Sequence, residues 1–282
     1  MSAPATGDLP QLSLCFSRGR GGRTELTARR VAYPWSLTQP FHLEDGPSGM
    51  ATVIPQSASG GLFSDDVVRQ CIIVKASAAV HLASQGATLA HARRAGDGAR
   101  SEWRLQVDDG GWLEVLNDPL VLGPDAAVRQ HWSLQVAPGG TCLLIDAWTW
   151  LRNGAAPAFE CLQSEIHIRR PDGKSLALER ATVRAGDIER LQSAFAAPVR
   201  GFVNGLLLCP GIDHSLTALL SQRLDEIEHG WVGISTLPNE AGIAVRAACL
   251  SNGAMAPVSE TIWQVFRQWR LGREPARRRR GL

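Results

Sequence analysis

The chain has 282 residues, a formal net charge of +2, 44% hydrophobic and 20% charged residues. This length and balance allow a large core, in one long β domain or in two units, and set aside a disordered or low-complexity polymer. Arg277 to Arg280 hold four of the positive charges, so residues 1–276 sum to −2, unlike a nucleic-acid binder that spreads basic surface over its fold.

Only Lys75 and Lys174 are lysines against 27 arginines, which with the abundant Ala and Gly reads as a base-composition bias of the genome. No apolar run approaches the roughly 18 residues of a membrane span, and no charged-then-apolar leader opens the chain. Six cysteines (Cys15, Cys71, Cys142, Cys161, Cys209, Cys249) are scattered without a Cys-x-x-Cys pair. Reduced, mostly buried thiols in a cytoplasmic protein are the expectation.

Residues 1–11 and 273–282 read as disordered ends. Leu12, Leu14 and Phe16 alternate as a first strand, and Glu25–Val31 follow as a second after a glycine-rich turn. Pro34 and Pro40 mark an edge or crossing segment. Gly60 and Gly61 supply a sharp reversal before Val67, Val68, Cys71, Ile72, Ile73 and Val74, expected as a buried strand. A phosphate loop needs Gly-Lys-Ser/Thr opening a helix, whereas here Asp65 and Asp66 would repel an anion.

Trp103, Leu105 and Val107 alternate, and Asp108-Asp-Gly-Gly predicts a hairpin into Trp112–Leu116. Period two is clearest over 128–136, with Val128, Gln130, Trp132, Leu134 and Val136 on one face and Arg129, His131, Ser133 and Gln135 on a wet one. Pro138-Gly-Gly leads into Thr141–Trp150, where Asp146, Trp148 and Trp150 share a face. Residues 162–183 predict a hairpin about Pro171-Asp172-Gly173. Leu206–Leu208 reads as a short strand and Asp213 caps a helix through Glu228. Trp231–Thr236 and Ile243–Leu250 read as paired strands, and Ser259–Leu271 as a final amphipathic helix.

No Gly-x-Ser-x-Gly elbow is present, and no two histidines flank a carboxylate at helical spacing. His131 and His167 fall on polar strand faces. The acidic pairs Glu44-Asp45, Asp65-Asp66 and Asp108-Asp109 fit solvated turns, and Asp66 suits a loop lock that accepts backbone N–H bonds. Asp146 beside two indoles could be desolvated and serve as an acid, or could pair with an arginine. Nine tryptophans against one tyrosine suit either core packing or a docking surface.

Several segments together resemble the urease accessory protein family UreD (UreH). Gly60, Gly61, Leu62 and Asp66 fit its Gly-Gly-Leu-x-Gly-Gly-Asp loop, with Ser64 and Asp65 replacing the second glycine pair. Ser84, Gln85, Ala87 and Thr88 fit its Thr-x-Gln-x-Ala block, while Leu89 and His91 stand where Lys and Tyr would be. Arg23-Thr24, the Pro34 to Phe41 segment, Trp112–Leu122, Arg246, Trp269 and Arg270 also match in pattern. Leu151-Arg152-Asn-Gly-Ala keeps only the arginine of a Gly-Arg-x-x-x-Gly-Glu loop.

The resemblance spans residues 12–272 and implies one mainly β domain. Many-stranded sheets would form a β-helix-like scaffold, with two helices near the C-terminus and an α+β portion from about residue 200. It implies a non-catalytic maturation factor that binds apo-urease and UreF-like and UreG-like (GTPase) partners. Nickel would be in transit, with no tightly bound cofactor. By motif position Gln85, Glu114, Gln130 and Asp146 are candidates for a polar lining or a partner contact. The alternatives are a diverged paralogue with another partner, an enzyme using Asp66 or Asp146, and a nucleic-acid-associated protein acting through the arginine tail.

Overall fold

The structure, a computed structural model, describes residues 9–43, 47, 49–94, 96–153, 156–228 and 230–273. Residues 1–8, the pair Glu44-Asp45, Gly154 and Ala155 of the altered arginine loop, and the tail 274–282 lie outside these.

The chain opens with an antiparallel pair, β1 (Leu12–Arg18) and β2 (Thr24–Val31). Three short strands follow: β3 (Trp35–Leu37), β4 (Ala51–Val53) and β5 (Pro55–Ser57), with β3 and β5 paired. The body is then wound in coils. The first is β6 (Val67–Val74), β7 (Ala79–Ala83) and β8 (Thr88–Ala90), and the second is β9 (Ala99–Val107), β10 (Trp112–Leu116) and β11 (Leu120–Leu122). The third begins with β12 (Ala127–Val136) and β13 (Thr141–Trp150). Two short strands, β14 (Arg152–Asn153) and β15 (Ala156–Pro157), precede β16 (Cys161–Arg169) and β17 (Ser175–Arg184). The remainder is α1 (Ala185–Phe195), β18 (Gly201–Leu208), α2 (His214–Asp225), β19 (Gly230–Thr236), β20 (Ile243–Cys249) and α3 (Asn252–Leu271).

Within the coils, strands stack in parallel on their counterparts. One sheet runs β17-β16-β12-β9-β6-β1-β2, parallel from β16 to β1 and closed by an antiparallel strand at each edge. The facing sheet runs β19-β20-β18-β13-β10-β7-β4, parallel from β4 to β13 and antiparallel beyond. Three corners of the same length join the sheets, at residues 75–78, 108–111 and 137–140. Each is closed by a backbone bond from its last residue to its first: Ala78 to Lys75 at 3.1 Å, Gly111 to Asp108 at 2.9 Å and Gly140 to Ala137 at 2.9 Å.

This stacking corrects the hairpin expected at Asp108-Asp-Gly-Gly. β9 is already flanked by β6 and β12, so the chain leaving it has no free edge beside it and crosses to the other sheet. Residue type at a turn signals a reversal of direction but leaves the partner strand open. The hairpin about Pro171-Asp172-Gly173 does form, because β16 lies at the end of the parallel stack and β17 adds to its free edge.

Alternation places the core. Leu14, Phe16, Ile72, Val74, Leu105, Val107, Trp132 and Leu134 meet Val80, Leu82, Leu113, Val115 and Leu144 between the sheets. β6 buries only the Val68, Gln70, Ile72, Val74 face, so it is half-buried rather than the buried strand expected. β13 is buried along its whole length, since its other face lies under helices. There Leu143, Ile145 and Val203 pack against Leu216 and Leu220 of α2 and Val258, Ile262 and Phe266 of α3. Each such side chain contributes roughly 1.5–3 kcal/mol by leaving water.

Among the described residues both helices expected near the C-terminus form, and a further one, α1, precedes them. α1 was not expected; its entry is fixed by Asp187, whose carboxylate accepts the Arg184 N–H at 2.8 Å, and it buries Ile188. α3 starts seven residues before Ser259 because Ser251 caps it through the Ala254 N–H, and Pro257 is accommodated inside. α2 has the expected Asp213 cap but ends at Asp225, three residues early. β18 extends well N-terminal of Leu206. Trp148 and Trp150 are core residues, packed with Phe159 and Phe202, so they offer no docking surface.

Candidate functional site

Between the sheets, at the end covered by the glycine loop, lies a cavity of about 410 Å³. Its mouth includes the exposed Gly60, Gln85 and Gly86, and its floor the buried Gln130, Trp132 and Asp146. The floor follows from strand parity. Gln130 and Trp132 point inward from β12, and the corner at 137–140 returns β13 with Asp146 facing Gln130. Gln130 Nε2 donates to Asp146 Oδ1 at 2.8 Å.

Burial raises the Asp146 carboxyl from 3.8 to about 6, although the Gln130 hydrogen bond and the positive charge of Arg246 pull the other way. Arg246 itself is paired with Glu179. Asp146 therefore pairs with an amide, and the arginine expected beside it acts only through its field. Three buried side-chain atoms lack a hydrogen-bond partner among the described residues: Trp35 Nε1, Trp132 Nε1 and Gln130 Oε1. All three belong to residues that line the cavity.

The glycine loop forms part of the rim. Leu62 bridges to the strand bearing the second family-like block, donating to Leu89 O at 2.8 Å and accepting from the His91 N–H at 2.8 Å. Leu89 and His91, the two departures from the family pattern, thus sit directly under the loop, and the His91 ring stacks on Phe63 at 4.3 Å. Asp66 Oδ2 accepts the Phe63 N–H at 2.8 Å, a local tie across the turn. Gly60 has φ +70° and Gly61 a backbone that leaves no room for a side chain: a Cβ there would lie 2.2 Å from Leu89 O. Gly61→Ala is expected to cost about 1–2 kcal/mol and to loosen the cavity rim, read as a lowered Tm with faster amide exchange at Leu62 and His91.

Of the four motif-derived candidates, Gln85, Gln130 and Asp146 come together at the cavity. Glu114 does not. It lies on the other face of its sheet, fully buried under α3, where it presents no surface to a partner. Its carboxylate accepts from Trp112 Nε1 at 3.0 Å, Trp263 Nε1 at 2.9 Å, and Arg267 Nε and Nη2 at 2.8 and 2.7 Å. His81 Nδ1 lies 2.7 Å away, and the Arg267 guanidinium stacks 4.5 Å over the Trp263 ring. Burial would push this carboxyl up, but the charges and hydrogen bonds of Arg267 and His81 more than offset it and hold the group far below the usual range.

Asp66 is held in its loop, away from the cavity lining, so it makes no acid pair with Asp146. His131 faces Glu165 on the outer sheet face and His167 reaches Ser175 there, so neither enters the cavity. Among the described residues no group of three or more His, Cys, Asp or Glu is arranged to hold a metal ion. Burial pushes Cys142 and Cys209 up to about 12 and Cys249 to about 11, which keeps these thiols protonated. Trp35, Trp103 and Trp132 were not singled out for the site from sequence. Trp132 shares the inward parity of Gln130, the one local signal that points to it.

Residues 9–281 match the family model for the UreD urease accessory protein. The chain is 28% identical over 280 residues to urease accessory protein UreD 1 of Methylorubrum extorquens (strain PA1), covering 99% of this chain and 94% of that one. It is 30% identical over 280 residues to UreD 2 of Bradyrhizobium sp. (strain BTAi1), covering 98% and 95%. It is 31% identical over 273 residues to UreD 2 of Bradyrhizobium sp. (strain ORS 278), covering 95% and 93%. Matches over nearly the whole of both chains, on a scaffold wound from the segments that carry the family-like motifs, place this chain in the UreD family of urease accessory proteins.

Proposed function

We propose that the chain is a non-catalytic maturation factor of the cytoplasm that binds apo-urease together with UreF-like and UreG-like partners and assists nickel insertion. The match to the urease accessory family across residues 9–281 carries this reading. No helix among the described residues is long and apolar enough to cross a membrane, in keeping with action on a soluble enzyme.

Nickel on this reading is cargo. A cargo ion needs weak, exchangeable ligands, and protonated thiols such as Cys142 and Cys209 do not trap it. Oxygen ligands of the kind offered by Gln130 and Asp146 suit transit better. The test is co-expression of the urease subunits and the other accessory proteins with and without this chain. Urease purified without it is expected to be nickel-poor and weakly ureolytic. Equal nickel content and ureolysis in both preparations would refute the role.

A further inference from the structure

Followed along their main strand order, the two large sheets end in four edge strands, and three of these are guarded against pairing with another chain. β2 carries Glu25, Arg29 and Arg30 and shifts register against β1, while β17 carries Glu179, Arg180 and Arg184 and shifts register against β16. β4 is three residues long, and Phe41 bridges to it at Thr52. The fourth, β19, has none of these devices. Its sequence Gly-Trp-Val-Gly-Ile-Ser-Thr bears no charge and no proline, and it pairs with β20 without a register shift. Among the described residues β20 is its only strand neighbour, so its outer main-chain N–H and C=O groups form a template for a further strand.

Gly233, at the centre of β19, has no role within the lone chain. A glycine inside a strand weakens it and often marks the close approach of another backbone. Yet a Cβ built at Gly233 would meet nothing within 4 Å, and its φ lies outside the left-handed region. Two residues away, Trp231 is 37% exposed and stacks at 4.6 Å on Phe195 of α1, itself 51% exposed, leaving two large rings partly in water.

β19 is also complementary to itself. Antiparallel pairing with a second copy about Gly233 sets Gly233 against its own equivalent, Val232 against Ile234 and Trp231 against Ser235. Val232 and Ile234 already pack on the apolar cluster beneath α2 and α3, and the cross-strand pair continues that layer. On the other face each indole meets a serine and the open space over two glycines, and no like charges oppose. We propose that two copies of this chain join through β19 in an isologous antiparallel pair centred on Gly233, making one continuous sheet. The pairing does not rest on the maturation role, since it is a property of the purified chain alone.

Sedimentation of the full chain over a range of concentrations is expected to show a reversible monomer–dimer equilibrium. Gly233→Lys and Gly233→Glu both fit the single chain, where an added side chain has open space. Across the two-fold axis, however, each puts like charges directly opposite one another. Either variant alone should dimerise at least about tenfold more weakly, and an equimolar mixture of the two should restore association as a heterodimer. A chain that stays monomeric at every concentration would overturn the proposal and leave the edge to a strand of another protein. A dimer that neither charge weakens, or a mixture as monomeric as its components, would overturn it equally. Should a variant fail to fold, amide exchange of the unaltered chain decides: protection across β19 must rise with protein concentration, and exchange that is independent of concentration refutes the pairing.

Discussion

Arg267→Leu is expected to lower the unfolding free energy by about 3–5 kcal/mol, the largest effect of any single substitution considered. The reason lies in what it leaves behind. Glu114 is fully buried, and Arg267 supplies its opposing charge and two of its hydrogen bonds. Without the guanidinium, burial becomes the dominant influence on the carboxyl, which must take up a proton or remain an uncompensated charge. The double variant Glu114→Gln/Arg267→Leu removes both charges while keeping an oxygen to accept from the Trp112 and Trp263 indoles, and should be less destabilised than Arg267→Leu alone. Denaturant unfolding at pH 7.5 of the single and double variants checks both statements. A single variant within 1 kcal/mol of the unaltered chain, on the scale of an exposed pair, would show the cluster to be unimportant.

The same cluster sets a pH dependence of definite sign. The folded Glu114 carboxyl binds a proton less readily than in the unfolded chain, where its value is near 4.5. Its stabilisation is therefore complete above that value and declines as the pH falls below it. Glu114 joins Trp112 of its own strand to Trp263 and Arg267 of α3 across about 150 residues of chain, so acid should release the C-terminal helix from the scaffold along with it.

These two buried carboxylates mark the limit of what the sequence discloses. Strand parity is local, so Gln130, Trp132 and Asp146 could be set on inward faces from residues 128–150 alone, and the structure brings them into one cavity. Glu114 has no such local signal. In Trp112-Leu-Glu-Val-Leu a glutamate flanked by apolar residues reads as lining, and its decisive partners, Trp263 and Arg267, are reached only through the packing of a helix far along the chain. The corner at 108–111 failed for a related reason. Aspartate and glycine report that the chain turns, whereas the parallel stacking that sends β10 to the opposite sheet is a property of all the coils together. α1 escaped because its short apolar face buries little besides Ile188.

Asp146→Asn should have the opposite effect to Arg267→Leu, and only over part of the pH range. A carboxyl raised from 3.8 in the unfolded chain to about 6 in the folded one binds protons more readily when folded. Its ionisation therefore costs the fold nothing below about pH 4, an increasing amount as the pH rises toward 6, and the full amount above. A displacement of that size corresponds to about 3 kcal/mol. Asparagine keeps an oxygen to accept from Gln130 Nε2 and never ionises, so the variant's gain in unfolding free energy should grow by about this amount between pH 4 and pH 8. The growth with pH is the quantity to read, since any fixed difference in packing between the two side chains cancels from it. A pH-independent difference would mean that Asp146 reaches solvent through the cavity mouth and is not desolvated. If the growth is found, the fold carries a costly buried charge on the floor of the cavity, and Asp146→Asn becomes the variant that tests whether that charge serves the proposed maturation role.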